Sequence, residues 1–228
     1  MKVLHVIARM NVGGTARYVG DLVSAEPAGF ESLLATGYVQ GSEVEDDCVH
    51  GLPIVRIPSM GRAINPVRDL RAYLQLRKVI REFKPDIVHS HTFKAGLLAR
   101  LVPGSHKRIH TFHGHLFDDQ SFSGLQKFGI TALERFNASR TDVLVSVGEK
   151  VGRELRAARI GIGQKWLSIA PGVRALDTTA YSGEFVVGWI ARVTSVKNPM
   201  LELSTHGLKV RCLLIHAHPA LSTEVYYG

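Results

Sequence analysis

The stretch that decides the fold lies at the start of the chain, where residues 3–15 read VLHVIARMNVGGT. Its first six residues are β-rich and nearly all apolar, as expected of a parallel strand that is buried on both faces. Gly13 and Gly14 follow, and after them a helical stretch runs through Tyr18 and Val23. A strand, a glycine turn and a helix in this order indicate an α/β sheet.

The same alternation continues through the first 170 residues. Short apolar runs predict further strands, and apolar residues spaced three or four apart predict further helices. The strands are 32–36, 54–57, 86–90, 108–112, 142–146 and 166–170, and the helices are 68–83, 93–102 and 125–138. Short connections between them predict a doubly wound sheet with right-handed crossovers. Ligands bind such sheets at the carboxyl ends of the strands, so we expect the functional residues there.

The composition of the 228 residues is that of a soluble globular protein. Apolar residues make up 45% and charged residues 21%, which excludes disorder, collagen and coiled coil. The net charge of +8 predicts an anionic partner. Two cysteines cannot form a disulfide framework and indicate a reducing compartment. The sequence shows no signal peptide and no run of about 18 apolar residues, so we expect a cytoplasmic protein whose membrane contact, if any, is peripheral.

The pattern divides the chain into a complete lobe and a shorter remainder. Residues 1–173 hold the predicted sheet, and residues 174–183 are small and polar, as in a linker. A new apolar strand begins at Phe185, but the last 45 residues supply little more than one βαβ unit of about 30 residues. We therefore expect residues 184–228 to be an incomplete, truncated second lobe that is not stable by itself.

The glycine pair after the first strand is a candidate anion site. Gly13 and Gly14 let the backbone approach a phosphate or sugar closely, and the N-terminus of the next helix favours an anion. The spacing is not G-x-G-x-x-G, and a tight turn without a ligand is the alternative interpretation.

Histidines gather where two of the predicted strands end. His89 and His91 close one strand, and His113 and His115 follow another. An imidazole in this position could bond to a substrate hydroxyl or carry a proton. A hydrolytic metal site made by His113, His115 and Asp118 is an alternative, although the spacing departs from the usual metallohydrolase pattern. Ordinary structural roles are the other alternative.

Basic residues suggest two further contacts. A predicted strand ends at Arg192 and Lys197 follows at a helix start, where two cations could neutralise a diphosphate without a metal. Residues 56–110 carry a net charge of +9, and their amphipathic helix could rest on anionic lipid headgroups. Solvated surface cations are the alternative in both places. No sequence motif supports binding of nucleic acid.

Taken in chain order, these segments resemble the family 4 retaining glycosyltransferases of the GT-B fold. The first strand and glycine loop are similar to that family's opening, and PDIVHSH at 85–91 and TFHG at 111–114 resemble two of its motifs. APGV at 170–173 resembles its "PNGV" motif, with Ala-Pro for Pro-Asn. GWIARVTSVKN at 188–198 resembles its second-lobe signature, with Ala191 in place of a glycine.

The resemblance implies a transferase that moves a sugar from a nucleotide-sugar donor to a saccharide or lipid-linked acceptor, as in synthesis of cell-envelope polysaccharide. It implies a mostly parallel, Rossmann-like acceptor lobe over 1–173 and part of a nucleotide-sugar-binding lobe over 184–228. It implies no metal cofactor and a location in the cytoplasm or at the inner face of the plasma membrane.

The resemblance also implies roles for individual residues. His113 would be the catalytic residue beside the donor sugar, and the donor diphosphate would lie against Gly13, Gly14, Arg192 and Lys197. Acceptor contacts are implied at Thr15, Arg17, His91 and Lys94. The family's E-x7-E pair is absent, because Glu202 and Glu224 do not have that spacing. We therefore expect weak donor binding and little turnover from this chain alone, and a non-catalytic binding fragment is the alternative.

Overall fold

The structure, a computed structural model, describes residues 1–25, 27–61, 65–114 and 124–172. Seven strands form one sheet, all parallel, in the order β3-β2-β1-β4-β5-β6-β7. They are β1 Lys2–Ile7, β2 Glu31–Thr36, β3 Ile54–Arg56, β4 Ile87–His91, β5 Lys107–Phe112, β6 Val143–Ser146 and β7 Lys165–Ser168.

Helices connect the strands in the described ranges. They are α1 Gly14–Ser24, α2 Pro66–Phe83, α3 Phe93–Leu101, α4 Gly124–Ala138 and α5 Glu149–Ala157, with a 3₁₀ turn at Asp47–Val49. The ends of α2 show how the sequence sets its bounds. The Asn65 side chain accepts a hydrogen bond from the N–H of Arg68, and Pro66 occupies the first turn. At the other end Lys84 adopts a left-handed conformation before Pro85, which cannot continue a helix.

The order of the strands reverses between β1 and β4. The chain builds outward from β1 to β3 and then returns to add β4 on the other side of β1. In open α/β sheets this switch point opens a crevice at the carboxyl ends of the two strands. The fold therefore places the loop after β1 beside the end of β4.

Different helices pack against the two faces of the sheet. One face of β1 and β4 packs under α2 and α3 through Leu4, Val6 and Val88. The other face of β1 and β2 packs under α1 through Ile7 and Leu34. A smaller apolar cluster holds β5 and β6 against α5.

The predicted fold class is confirmed: the chain forms a doubly wound parallel α/β sheet. All seven predicted strands are present within one residue of their expected bounds, except that the last ends at Ser168 rather than residue 170. The sequence did not predict α5. The linker 174–183 and the second-lobe fragment 184–228 lie outside the described residues, so that division of the chain stays a prediction. Within the described ranges, no helix combines the length and apolarity needed to cross a bilayer.

Candidate active site at the carboxyl end of the sheet

The turn after β1 leaves the N-terminus of α1 without a side-chain cap. Gly13 has φ 149°, a conformation that favours glycine, and no side chain bonds to the first turn of the helix. A Cβ added to Gly14 would meet no described atom within 4 Å. Gly13 is thus required by the backbone, whereas the absence of a side chain at Gly14 keeps space open in front of the helix.

Four imidazoles lie on one face of the sheet beside this turn. His5 on β1 pairs in register with His89 on β4, and His91 lies two residues further along on the same face. Nδ1 of His5 is 3.4 Å from Nε2 of His91, and Nδ1 of His91 is 3.2 Å from Nε2 of His113, which follows β5. Nε2 of His89 is 2.7 Å from Oγ1 of Thr111.

These imidazoles are neutral at pH 7. Burial lowers the pKa of His5 and of His113 from 6.5 to about 4. Burial, and then the neighbouring imidazoles, hold the pKa of His89 and of His91 well below the ordinary value. A neutral imidazole offers one donor and one acceptor. His113 is therefore better suited to orienting a substrate hydroxyl than to accepting its proton at neutral pH.

The ring of Tyr18 on α1 packs against the imidazole cluster. Helix α1 carries its ring to 4.9 Å from the His113 ring and 6.1 Å from the His91 ring, between centroids. Burial raises the pKa of the Tyr18 hydroxyl, while a hydrogen bond with the Thr111 side chain lowers it by a smaller amount. In the sequence, Tyr18 is predicted only as part of a helix. Its position one turn after Gly14 is a signal that could have placed it over the same end of the sheet.

The structure gives two predicted acceptor residues carboxylate partners. Nε of Arg17 is 2.8 Å from Oδ1 of Asp46, and Nζ of the buried Lys94 is 2.5 Å from Oδ1 of Asp69. Lys94 thereby ties the start of α3 to α2. The positive charges of Arg17 and Lys94 are therefore already paired with carboxylates of the same lobe.

The other predicted site residues fall into two groups. Gly13, Gly14, Thr15, His91 and His113 all lie at or just beyond the carboxyl ends of β1, β4 and β5. The remaining ones, Arg192, Lys197, His115 and Asp118, are outside the described residues.

A family model, the glycosyl transferase 4-like domain, matches residues 13–165. The chain belongs to this family. The matched range runs from the glycine turn to the start of β7 and contains every described imidazole of the cluster except His5. The candidate site therefore lies within the glycosyl transferase 4-like domain of the chain.

A curated relative agrees with this assignment. The chain is 25% identical over 162 residues to the Escherichia coli UDP-Gal:alpha-D-GlcNAc-diphosphoundecaprenol alpha-1,3-galactosyltransferase. The alignment covers 63% of this glycosyl transferase 4-like chain and 41% of that relative, so the chain spans less than half of the relative's length.

The structural matches show the fold. Anabaena HepE in complex with UDP and glucose matches with a TM-score of 0.69 and 15% identity, over 94% of this chain and 60% of that one. A glycosyltransferase from Rickettsia africae matches with a TM-score of 0.62 and 17% identity, over the same shares of the two chains. The glycosyl transferase 4-like lobe thus has the Rossmann-like architecture of GT-B glycosyltransferases.

Proposed function

We propose that this chain supplies the acceptor-binding lobe of a glycosyltransferase that moves a sugar from a nucleotide-sugar donor to a saccharide or lipid-linked acceptor. The observation that carries the proposal is the pairing of an uncapped glycine turn with a neutral imidazole at the switch point of a family-matched domain. The relatives support the donor class, because the E. coli enzyme is named for UDP-Gal and the Anabaena structure holds UDP and glucose.

Each group at the site has a part in the proposed reaction. The N-terminus of α1 carries a partial positive charge and free backbone donors, which suit an oxygen of the diphosphate. His113 bonds to a hydroxyl of the donor sugar and orients it. Arg192 and Lys197 neutralise the leaving diphosphate, so the chemistry needs no metal ion.

We propose a lipid-linked acceptor at an anionic membrane surface. The curated relative is named for a diphosphoundecaprenol acceptor. On α2, Val67, Leu70 and Leu74 are exposed at helical spacing. Arg71 and Lys78 are exposed on the same helix. Exposed apolar and basic side chains together suit peripheral binding to lipid headgroups. In this proposal the chain binds its acceptor at the inner face of the plasma membrane.

The direct test is binding of UDP and of an undecaprenyl-diphosphate sugar to the 228-residue chain, with transfer of labelled galactose from UDP-Gal as a second measurement. Gly14→Asp places a carboxylate before the helix N-terminus, where repulsion should weaken diphosphate binding at least about tenfold. Gly148→Asp is the matched control, because Gly148 precedes α5 and also has open space around its Cβ position.

The variants separate the proposed roles. His113→Ala should leave diphosphate binding close to that of the parent and lower transfer. Equal diphosphate binding by the parent and by Gly14→Asp would contradict the role of the glycine turn. Binding of the lipid-linked sugar with no measurable transfer by any protein that contains this chain would favour a non-catalytic binding lobe instead.

A further inference from the structure

Three imidazoles of the cluster bring one ring nitrogen each close together. His5, His89 and His91 each offer one nitrogen, and these three atoms lie within 4.8 Å of one another. The residues come from the two strands that meet at the switch point. In the described part of the chain this is the one group of three His, Cys, Asp or Glu side chains with that geometry.

The spacing of these nitrogens suits a small metal ion. Zn²⁺ binds imidazole nitrogens at about 2.0–2.1 Å, so two ligands of a tetrahedral ion lie about 3.4 Å apart. Nδ1 of His5 and Nε2 of His91 are already 3.4 Å apart. The ligand nitrogen of His89 also lies within 4.8 Å of those of His5 and His91.

The surroundings of the three rings also fit ligation. A metal-binding histidine usually engages its second ring nitrogen with a hydrogen-bonding partner, which fixes the ring. His89 has this partner in the Thr111 hydroxyl, 2.7 Å from Nε2. His91 has it in His113, whose Nε2 is 3.2 Å from Nδ1 of His91. These contacts leave Nδ1 of His89 and Nε2 of His91 for the ion.

We propose that His5, His89 and His91 bind a divalent transition-metal ion, Zn²⁺ by preference, which ties β1 to β4 beneath the candidate active site. A set of three imidazoles suits Zn²⁺, Cu²⁺ or Ni²⁺ and not the oxygen-seeking Mg²⁺ or Ca²⁺. The ion holds the His91 ring so that its Nδ1 stays on His113. Three imidazoles converge there in the described residues, so a water molecule takes the fourth position of the ion. The role of the ion is to hold the two strands, and the proposed transfer chemistry remains metal-free. The site shares no ligand with the alternative set of His113, His115 and Asp118.

The test uses the full chain stripped of metal by a chelator and titrated with Co²⁺, which reports tetrahedral coordination through its visible absorption. Two further histidine pairs, His113 with His115 and His216 with His218, could bind metal by themselves. The parent protein for the titration therefore carries His115→Ala, His216→Ala and His218→Ala. We expect one equivalent of Co²⁺, displaced by Zn²⁺, and a melting temperature that rises with Zn²⁺.

Variants of the cluster should form a graded series. His5→Phe and His89→Phe each remove a ligand while keeping a buried ring, and should weaken Co²⁺ binding by more than about 100-fold. Thr111→Val removes the hydrogen bonds of the Thr111 hydroxyl to His89 and to Tyr18 at nearly constant volume, and should weaken Co²⁺ binding about 10–100-fold through His89. His50→Ala changes an exposed histidine far from the cluster in sequence and should have no effect.

The metal titration is independent of the proposed sugar transfer, because neither a donor nor an acceptor is present in it. Failure of the parent to bind one equivalent of Co²⁺ would overturn it. Equal affinity in the parent and in His5→Phe or Thr111→Val would also overturn it. If a Phe variant loses its native circular dichroism, the Thr111→Val affinity and the titration of the parent give the answer.

Discussion

Asp46 joins its own loop to the end of the first strand and to α1. Its carboxylate accepts hydrogen bonds from the Arg17 guanidinium and from the N–H of Cys48, and its own N–H donates to the carbonyl of Met10. Burial by itself would raise the pKa of this carboxyl. The bond from Cys48 and the charge of Arg17 outweigh burial and keep the pKa below its ordinary value.

The first prediction follows from that lowered pKa. Because the folded pKa lies below the unfolded value of about 3.9, the stabilisation is complete above that value and is lost as the pH falls through the folded pKa. We expect Asp46→Asn to lower the free energy of unfolding by about 1 kcal/mol at pH 7 and by much less near pH 3. Urea denaturation of both proteins at the two pH values measures this.

Asp47→Asn is the control for the Asp46 prediction. Asp47 is the next residue and is exposed, so its replacement should change stability by less than about 0.5 kcal/mol at either pH. An Asp46→Asn effect of the same size at both pH values would show that the charge of Asp46 is not what stabilises the loop.

At the scale of elements, α3 and α4 are joined by a buried ion pair. Nη2 of Arg100 is 2.8 Å from both carboxylate oxygens of Glu134, and both side chains are buried. Burial lowers the pKa of Arg100 and raises that of Glu134, and the mutual attraction opposes both changes. Each charge is therefore tolerated inside the protein because the other is there.

The second prediction concerns the loss of one partner of this pair. Glu134→Gln leaves a buried guanidinium without a counter-charge and should cost about 3–5 kcal/mol of unfolding free energy. The double variant Arg100→Met/Glu134→Leu should recover most of that loss, because a buried pair can be replaced by apolar groups at little cost. Guanidinium denaturation of both variants provides the measurement.

The exposed i,i+4 pair of Lys78 and Glu82 on α2 is the matched comparison for the buried pair. Its Nζ and Oε1 atoms are 3.8 Å apart in solvent, and removing it should change stability by less than about 0.5 kcal/mol. If the double variant of Arg100 and Glu134 is no more stable than Glu134→Gln, the apolar replacement does not fit the space between α3 and α4.

The third prediction concerns the outer surface of α2. Leu70 is 59% exposed, so Leu70→Glu should leave the melting temperature unchanged. It should lower co-sedimentation with anionic vesicles, because it replaces an apolar contact by a charge of the same sign as the lipid. The control is Ile162→Glu, which makes the same charge change at a 69% exposed apolar residue after α5.

The outcome for α2 depends on salt as well as on sequence. Attraction between basic side chains and lipid is screened over about 8 Å at physiological ionic strength, so binding should fall at high salt. Equal binding to neutral and anionic vesicles, or equal loss in the two Glu variants, would remove the membrane contact from the proposed function.

At the scale of the whole molecule, the last described strand ends at Ser168. The sequence predicts a further apolar strand that begins at Phe185, and an apolar strand with an open edge promotes association. The fourth prediction is that a chain ending at Arg174 will be monomeric and that the 228-residue chain will associate. Size-exclusion chromatography with light scattering measures both. A monodisperse full chain with the higher melting temperature would contradict this prediction.

The sequence was informative about elements and less so about contacts between them. Strands could be predicted because each is a short apolar run, whereas α5 is largely polar, with Val151 and Leu155 as its large apolar residues. The carboxylate partners of Arg17 and Lys94 could not be predicted, because each lies more than 20 residues away along the chain.

The imidazole cluster shows the same limit. The sequence placed His91 and His113 at strand ends, but His5 lies inside a strand that read as simply apolar. Its contact with His91 depends on β4 pairing with β1, and that pairing follows from the reversal of strand order rather than from any local pattern.

The reversal of strand order has a consequence for synthesis on the ribosome. The interior strand β1 is made first, yet one of its two neighbours begins only at Ile87, 80 residues after β1 ends. At about 5–20 residues per second, that delay is about 4–16 s. Throughout this interval one edge of β1 is unpaired in the nascent chain, and the histidines of β4 do not yet exist. The candidate site is therefore assembled late, and a nascent chain that stalls before β4 exposes the edge on which that site is built.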